Sequence, residues 1–283
     1  MIIATLGPKG TFSHEVTLKV FPNAKIMFTN TIREIFELVK SKKADFGVAP
    51  VENSSGGSIG ETLDFLSEFE IKVFGEEFLP IHHNLAGLGR INDIKTLYLH
   101  PQTREQCSKF ILENLSRAAL VVTSSNGKSA EIVSKSKDIS KGALVPLSSA
   151  KIYNLKIIKK NVEDNKSNVT RFFILSTVDN AKTRNAKTSI LAKPSNDNPG
   201  NLNSLLSEFK KRKIKLVKIE SRSSKGKIGF FVYHIDFIGN IKDPKINELL
   251  TSISKDFEIK VFGSYERKYQ NRIITKNGHK KNS

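Results

Sequence analysis

Short apolar runs alternate with longer amphipathic stretches through the first 180 residues of the chain. This alternation is typical of an α/β protein, in which strands and helices follow one another. The amphipathic stretch Thr31–Lys40 predicts a helix, because Ile32, Ile35, Phe36 and Val39 fall on one of its faces. The apolar runs predict strands at Ile2–Leu6, Lys25–Phe28, Asp45–Ala49, Ile71–Leu79, Lys95–Leu99, Leu120–Thr123, Gly142–Val145 and Arg171–Leu175.

A second and shorter pattern follows. It predicts strand, helix, strand, strand, helix and strand, which is the βαββαβ order of a ferredoxin-like fold. The six elements are predicted at Thr188–Ala192, Leu202–Lys213, Lys215–Ser221, Ile228–Ile238, Lys245–Ser254 and Glu258–Phe262. The polar segment Val178–Lys187 lacks periodicity and is predicted to be a linker. We therefore expect one domain over residues 1–178, a second over 187–265, and a basic, disordered tail over 266–283.

Composition narrows the class of protein. No apolar run approaches the roughly 18 residues of a membrane span, and the opening residues lack the charged start of a signal peptide. We therefore expect a cytoplasmic protein without a membrane partner. The single cysteine, Cys107, cannot form an internal disulfide, which fits a reducing compartment. It lies in an amphipathic stretch and is predicted to be a core residue, so no thiolate metal cluster is expected.

The net charge of +18 is unevenly distributed. Residues 1–180 hold 23 Lys and Arg against 19 Asp and Glu, whereas residues 181–283 hold 23 against 9. Such an excess can indicate nucleic-acid binding. No zinc-ligand spacing or aromatic RNA-binding motif accompanies it, so we expect a solvated basic face and no nucleic-acid partner. Salt-dependent binding to duplex DNA would contradict this expectation.

Four polar clusters lie at or beside the ends of predicted strands, where α/β sheets gather ligands. They are Gly7–Ser13, Pro50–Ser58, His100–Gln102 and Asn168–Phe172. Taken singly, Pro50–Ser58 also fits a capped turn, and His100 fits a structural residue next to a proline. Together the clusters offer amides, hydroxyls and one arginine, without a nucleophile–base pair, metal ligands or paired acids. This inventory suits a reaction that needs positioning and one proton donor.

In their order and spacing, these residues resemble the prephenate dehydratase family over nearly the whole chain. The motifs that carry the resemblance are Gly7–Ser13, Gly47–Ser54 with Gly57-Ser58, His100–Gln102 with Gln106-Cys107, and Thr170-Arg171-Phe172. The resemblance implies a two-lobed, periplasmic-binding-protein type II-like catalytic domain followed by a ferredoxin-like ACT domain. It also implies conversion of prephenate to phenylpyruvate, with release of water and carbon dioxide, in phenylalanine synthesis. No cofactor is expected, because formation of the benzene ring drives the step.

The resemblance also implies roles for individual residues. Thr170 would donate a hydrogen bond or proton to the departing hydroxyl, and Arg171 would hold a substrate carboxylate. The pyruvyl carboxylate is the better candidate, since a cation on the departing carboxylate would hold back charge that must enter the ring. Whether Arg171 instead braces the cleft from behind stays open, and Glu52 would repel a dianionic substrate. The other expected substrate-binding residues are Asn53, Ser54, Gln102, Thr11 and Phe172.

The second domain resembles an ACT domain that binds phenylalanine as a feedback inhibitor. The expected effector contacts are Gly200, Asn201, Leu202, Glu220, Ser221 and Arg222. Asn201 stands where the family has a methyl group, which predicts a weakened or altered phenylalanine response. The resemblance further implies a homodimer or homotetramer.

Two other functions fit the same residues. An arogenate dehydratase performs the same elimination on an amino rather than a keto side chain, and the sequence does not separate the two substrates. A non-catalytic amino-acid sensor would keep both domains, but the presence of Thr170 argues against it. Assaying the protein with prephenate and arogenate in parallel distinguishes all three.

Overall fold

The computed structural model of the protein describes residues 1–180, 183, 185–224 and 229–268. Strands and helices alternate over most of this length, as the sequence pattern predicts, and a short 3₁₀ helix lies at Ile91–Asp93. The elements are β1 (Ile2–Leu6), α1 (Phe12–Val20), β2 (Lys25–Thr29), α2 (Ile32–Lys40), β3 (Phe46–Asn53), β4 (Gly57–Ser58), α3 (Gly60–Glu68), β5 (Lys72–Pro80), β6 (Asn84–Gly87), β7 (Thr96–Leu99), α4 (Pro101–Gln106), α5 (Ser108–Asn114), β8 (Ala119–Val122), α6 (Asn126–Ser136), β9 (Lys141–Val145), α7 (Leu147–Ile152), β10 (Lys156–Lys159), β11 (Val169–Ser176), β12 (Ala186–Pro194), α8 (Asn201–Lys211), β13 (Leu216–Ser223), β14 (Phe231–Ile238), α9 (Pro244–Ile253) and β15 (Phe257–Glu266).

Two sheets form the part of the chain before β12, and both follow one scheme. The first has the order β2-β1-β3-β11-β5, with β4 paired to β3, and the second has the order β8-β7-β9-β6-β10. In each sheet, a strand from elsewhere in the sequence is inserted between the third and fourth strands of a local set. This repeated order is the one that a two-lobed, periplasmic-binding-protein type II-like fold requires, so the predicted fold class is confirmed.

Strand β11 is buried at every position from Val169 to Ser176. A strand covered on both faces reads as a continuous apolar run, which is why the stretch after Arg171 was recognisable in the sequence. The structure places Thr170 and Arg171 inside this strand, whereas the pattern predicted that the strand begins at Arg171. Both side chains are therefore held by a stiff, central element.

Cys107 lies in the core of the second sheet, as predicted. It is buried together with the aliphatic side chains of Leu97, Leu99 and Leu144. Burial is the main cause that raises the pKa of its thiol, and the carboxylates of Glu163 and Asp164 add to the effect. The thiol therefore stays protonated and behaves as a small apolar side chain.

The third sheet has the order β13-β14-β12-β15 and is joined to α8 and α9. Antiparallel pairing of β12 with both β14 and β15 completes the predicted ferredoxin-like arrangement. The helices cover a core that contains Phe209, Phe237 and Leu249. This sheet is separate from the other two and is consistent with an ACT-like domain.

The described chain forms two compact units. Unit 1 comprises residues 1–35, 48–59 and 78–172, and unit 2 comprises 36–47, 60–77 and the described residues from 173 onward. The predicted domain limits at residues 178 and 187 stay a prediction. The predicted linker lies partly outside the described residues, and the predicted tail lies almost entirely outside them.

Three strands, β4, β6 and β10, were not predicted from the sequence. Strand β6 is buried at all four positions, so it shows no alternation of apolar and polar residues. Strands β4 and β10 have only two and four residues. Among the described residues, no helix has both the length and the apolar character needed to cross a membrane.

Candidate active site

The structure brings Thr170 and Asn53 together in unit 1. The Asn53 side-chain nitrogen, Nδ2, donates hydrogen bonds to Thr170 Oγ1 and to Asn168 Oδ1, each at 2.8 Å. Ser54 joins the same group, since its hydroxyl lies 3.3 Å from Asn168 Oδ1. Asn168 was not predicted as a site residue, although it is next but one to Thr170 in the motif that drew attention to this strand. Its place in that motif, two residues before Thr170, is the sequence signal that could have identified it.

Arg171 makes a different set of contacts. Its Nη1 lies 3.5 Å from Glu52 Oε2, and the arginine side chain is only 4% exposed. Successive side chains of a strand point to opposite faces, so Arg171 lies on the face of β11 opposite to Thr170. The same alternation separates Glu52 from Asn53 on β3. A ligand that contacts Thr170 therefore approaches the face of the sheet that does not carry Arg171 and Glu52.

Gln102 reaches the neighbourhood of Asn53 across a glycine. A Cβ added to Gly56 would lie 3.6 Å from Gln102 Nε2 and 3.6 Å from Asn53 Oδ1. Gly56 thus leaves open the space between these two predicted site residues, and a side chain there would fill it. His100 is structural, because its Nδ1 accepts a hydrogen bond from the Gln102 backbone N–H at 3.3 Å and caps α4. Burial lowers the pKa of His100, which keeps this acceptor neutral.

Thr11 and Phe172 lie in structural settings. The Thr11 hydroxyl caps α1 by accepting from the His14 backbone N–H at 3.3 Å, and it donates to the Leu6 carbonyl at 3.1 Å. Phe172 is 1% exposed and belongs to the core. Phe172 therefore has no exposed face, whereas Thr11 is partly exposed with its hydroxyl engaged in these two bonds. Their roles in substrate binding stay predictions.

A second polar cluster in unit 1 surrounds Glu163. Its carboxylate lies 2.8 Å from His82 Nδ1 and accepts from the His83 backbone N–H at 2.9 Å. Burial raises the pKa of Glu163, but these hydrogen bonds outweigh it and the net pKa is lowered. The hydrogen bond to Glu163 raises the pKa of His82, whereas burial lowers that of His83. The cluster therefore combines one ionised carboxylate with one histidine that is readily charged and one that stays neutral.

Unit 2 contains a cavity of about 800 Å³ between the start of α8 and the beginning of β14. Three of the predicted effector contacts, Gly200, Asn201 and Leu202, line it. The Asn201 side-chain nitrogen donates to the Asn196 carbonyl at 2.8 Å. The remaining lining residues are Lys193, Pro194, Ser195, Asn196, Asp197, Asn198, Asn203, Leu206, Ser224, Gly229, Phe230, Phe231 and Tyr233.

The other three predicted effector contacts, Glu220, Ser221 and Arg222, do not line this cavity. Arg222 instead binds Asp64 of α3 with two parallel hydrogen bonds, Nε to Oδ1 at 2.7 Å and Nη2 to Oδ2 at 3.0 Å. Such a two-pronged pair uses the geometry in which arginine and carboxylate match best. Within unit 2, Arg222 therefore joins the third sheet to α3.

The family model for prephenate dehydratase matches residues 3–180. The chain belongs to the prephenate dehydratase family. A curated prephenate dehydratase from Methanocaldococcus jannaschii is 40% identical over 272 residues, which cover 93% of this chain and 97% of that protein. The residues recognised in the sequence thus carried a correct family assignment.

Solved structures of the prephenate dehydratase fold extend the likeness beyond residue 180. A prephenate dehydratase from Arthrobacter aurescens in complex with L-Phe is 28% identical with a TM-score of 0.86, covering 94% of this chain and 90% of that one. GqqA, described as a novel type of quorum quenching acylase, has a TM-score of 0.85 at 23% identity, covering 95% of this chain and 98% of that one. At that identity, the likeness to GqqA shows the fold alone.

Proposed function

We propose that this chain carries out the reaction of its family, the decarboxylating dehydration of prephenate, with Thr170 assisting departure of the hydroxyl group. The observation that supports this role is the hydrogen bond from Asn53 to Thr170 Oγ1. A hydroxyl that accepts one hydrogen bond keeps its own hydrogen for another partner. Thr170 can therefore act as a donor toward a ligand.

The reaction breaks two bonds of the substrate ring. The electron pair of the bond to the ring carboxylate enters the ring as carbon dioxide leaves, and the bond to the hydroxyl group breaks with its electrons on oxygen. One proton, taken up from solvent, converts the departing hydroxide to water. Because a threonine hydroxyl is a weak acid, its contribution is to stabilise the negative charge that develops on the leaving oxygen.

Neutral hydrogen bonds would orient the rest of the substrate. Gln102 is exposed, and its Nε2 faces the open space beside Gly56. Both ends of the Asn53 carboxamide are hydrogen-bonded to protein atoms, so its part in substrate binding is indirect. We therefore assign the role of neutral substrate donor to Gln102. The Ser54 hydroxyl donates to Asn168 Oδ1 and accepts from the Val169 backbone N–H, so its part in substrate binding is also indirect.

For Arg171, the contacts support bracing of the site rather than binding of a substrate carboxylate. Its charge is balanced by Glu52, and its side chain lies on the face of β11 opposite to Thr170. The pair joins β3 to β11 on the face opposite to Asn53 and Thr170. This arrangement also gives Glu52 a role in which it does not face the dianionic substrate.

Arg171→Lys is therefore expected to lower the midpoint of thermal unfolding and kcat, while KM stays close to the wild-type value. Lysine keeps the positive charge but loses the planar fork of the guanidinium. Steady-state kinetics with prephenate and a thermal melt measure both effects, with the exposed Arg117→Lys as the matched control. A large rise in KM at unchanged stability would instead identify Arg171 as the carboxylate anchor.

We further propose that the cavity beside α8 binds phenylalanine as an effector. The relative from Arthrobacter aurescens that was solved with L-Phe supports this ligand. The cavity combines aromatic residues, including Phe230 and Tyr233, with the amides of the loop before α8. The predicted weakening of the response by Asn201, which rests on the apolar contact that a polar group would remove, stays a prediction.

Gly200→Ala is expected to weaken phenylalanine binding several-fold without changing the basal rate of the enzyme. Gly200 has φ of 96°, in the left-handed region that costs other residues roughly 1–2 kcal/mol. A Cβ there meets no atom within 4 Å, so the effect comes from the backbone and not from a clash. Titration calorimetry with phenylalanine measures the change, and unaltered affinity would show that the loop before α8 does not contact the effector.

A homodimer or homotetramer is the assembly that we propose. In the third sheet, the large apolar side chains of Val217 and Ile219 on β13 and of Phe231 on β14 are exposed to solvent. Apolar surface of this kind favours association with another copy of the chain. Analytical ultracentrifugation of the purified protein tests it. The expected cytoplasmic location and the expected lack of nucleic-acid binding also stay predictions.

Mixing the purified protein with prephenate and following phenylpyruvate is the direct test of the reaction, with arogenate assayed in parallel. Formation of phenylpyruvate from prephenate supports the proposal. Preferential turnover of arogenate would make the chain an arogenate dehydratase, and no turnover of either substrate, with phenylalanine still bound, would indicate an amino-acid sensor.

A further inference from the structure

The carboxamide of Asn53 is held in one orientation by four hydrogen bonds. Its Nδ2 donates to Asn168 and Thr170, each at 2.8 Å, and its Oδ1 accepts from the backbone N–H groups of Ser55 and Gly56, each at 2.9 Å. Because a backbone N–H can only donate, the atom facing it must be the amide oxygen. Both amide hydrogens are thereby directed at Asn168 and Thr170.

This orientation decides the role of the Thr170 hydroxyl. Thr170 Oγ1 faces an N–H group, so it must accept from Asn53 and cannot donate to it. Among the described residues, Thr170 Oγ1 has no other hydrogen-bond partner. The single hydrogen of the hydroxyl is therefore available to a bound molecule, and the Asn53 N–H polarises the hydroxyl in the direction that makes it a better donor.

Asn168 is in turn fixed by its surroundings. It is buried, its backbone carbonyl accepts from Ile81 at 2.8 Å, and its backbone N–H lies 3.4 Å from the Asn165 carbonyl. Its side-chain oxygen accepts from both Asn53 and Ser54. The backbone of Asn168 is thus anchored through both its N–H and its carbonyl group. Its side-chain oxygen lies 2.8 Å from the Asn53 side-chain nitrogen that it orients.

We propose that Asn168 is a positioning residue for the elimination. Its side-chain oxygen holds one amide hydrogen of Asn53, which directs the other to Thr170 and leaves the Thr170 O–H aimed at the departing hydroxyl group. The proposal rests on the function proposed above and assigns to Asn168 a part in which it does not touch the substrate.

Loss of the Asn168 oxygen weakens this arrangement. The Ser55 and Gly56 N–H groups still hold Asn53 Oδ1, but the amide nitrogen loses one of its two acceptors, so the carboxamide can tilt away from Thr170. A Thr170 hydroxyl that Asn53 no longer holds and polarises forms a weaker hydrogen bond to the leaving oxygen. The effect falls on kcat, because binding of the ground state does not depend on that hydrogen bond.

Asn168→Ala is expected to lower kcat at least about tenfold with little change in KM. Asn168→Asp is the matched control, because its carboxylate keeps an acceptor for Asn53. That variant is expected to retain most of kcat, and its added negative charge should raise KM for the dianionic substrate. Equal loss of kcat in both variants, or wild-type kcat in Asn168→Ala, would overturn the proposal.

A double variant separates positioning from a general structural role. If Asn168 acts through Thr170, adding Asn168→Ala to Thr170→Val lowers kcat by less than about twofold beyond Thr170→Val alone. A purely structural role predicts that the full loss caused by Asn168→Ala is repeated in the Thr170→Val background. Because the comparison uses two folded variants with the same missing hydroxyl, a general loss of stability cannot imitate the expected result.

The side-chain amide of Asn53 supplies a readout that needs no substrate. Its N–H signals, assigned by their disappearance in Asn53→Asp, should exchange slowly with solvent in the wild type and in Asn168→Asp, and faster in Asn168→Ala. Unchanged exchange in Asn168→Ala would contradict the proposal whatever the reaction is. Lack of prephenate turnover by the wild type, with the expected exchange pattern, would contradict only the proposed function.

Discussion

Thr170→Val is expected to lower kcat for prephenate by roughly a hundredfold to a thousandfold, with KM changed little. Removal of one preorganised donor to a developing oxyanion typically has an effect of this size. Valine matches threonine in shape and favours a strand, so β11 should form normally. The variant also deprives Asn53 of one acceptor, which should reduce the free energy of unfolding by about 1–3 kcal/mol.

Steady-state kinetics and a urea titration of the same preparation separate the two effects. Thr170→Ser is the control, since it keeps the hydroxyl and removes only a methyl group. It should retain a much larger part of kcat than Thr170→Val. If serine and valine lower kcat equally, the hydroxyl is not the group that matters and the role assigned to Thr170 fails.

Glu76→Gln is expected to reduce the free energy of unfolding by about 3 kcal/mol. In unit 2, Glu76 Oε2 lies 2.8 Å from Lys187 Nζ, and the two side chains are 0% and 4% exposed. Glutamine keeps the shape of the side chain but removes the negative charge that balances a buried lysine. The cost is large because a buried cation that loses its counter-charge cannot be compensated by water.

Strand β12 also provides the matched control for this prediction. Lys193 pairs with Glu258 at the same distance of 2.8 Å, but these side chains are 51% and 73% exposed. Glu258→Gln should therefore change the free energy of unfolding by no more than about 0.5 kcal/mol. Urea titrations of both variants, compared at equal m-values, measure the difference. Similar losses at the two sites would contradict the importance assigned to burial.

Local patterns predicted most of the fold. The apolar face of Thr31–Lys40 anticipated α2, in which Ile35 and Phe36 are buried, and the βαββαβ order anticipated the third sheet. Strands β6 and β10 were not predicted because they are short and their residues do not alternate between apolar and polar. The pairing order of the sheets could not be read from periodicity, since it depends on contacts between distant parts of the chain.

The sequence predicted which residues form the candidate site but not how hydrogen bonds connect them. The sequence motifs gave Asn53 and Thr170, but 117 residues separate them and no local pattern indicates that one donates to the other. The bond between Asn53 and Asn168 spans 115 residues in the same way. Arg171 illustrates the opposite case, because its neighbour in sequence, Thr170, lies on the other face of the strand.

Cys107 gives this protein an intrinsic reporter of local opening. It is the single thiol of the chain and lies in the core of the second sheet, where burial keeps it protonated. A thiol reagent can reach it only when that core opens, and no other sulfhydryl contributes to the signal. The rate at which the reagent labels the unmodified protein therefore measures local opening of the core of the second sheet, without an engineered probe.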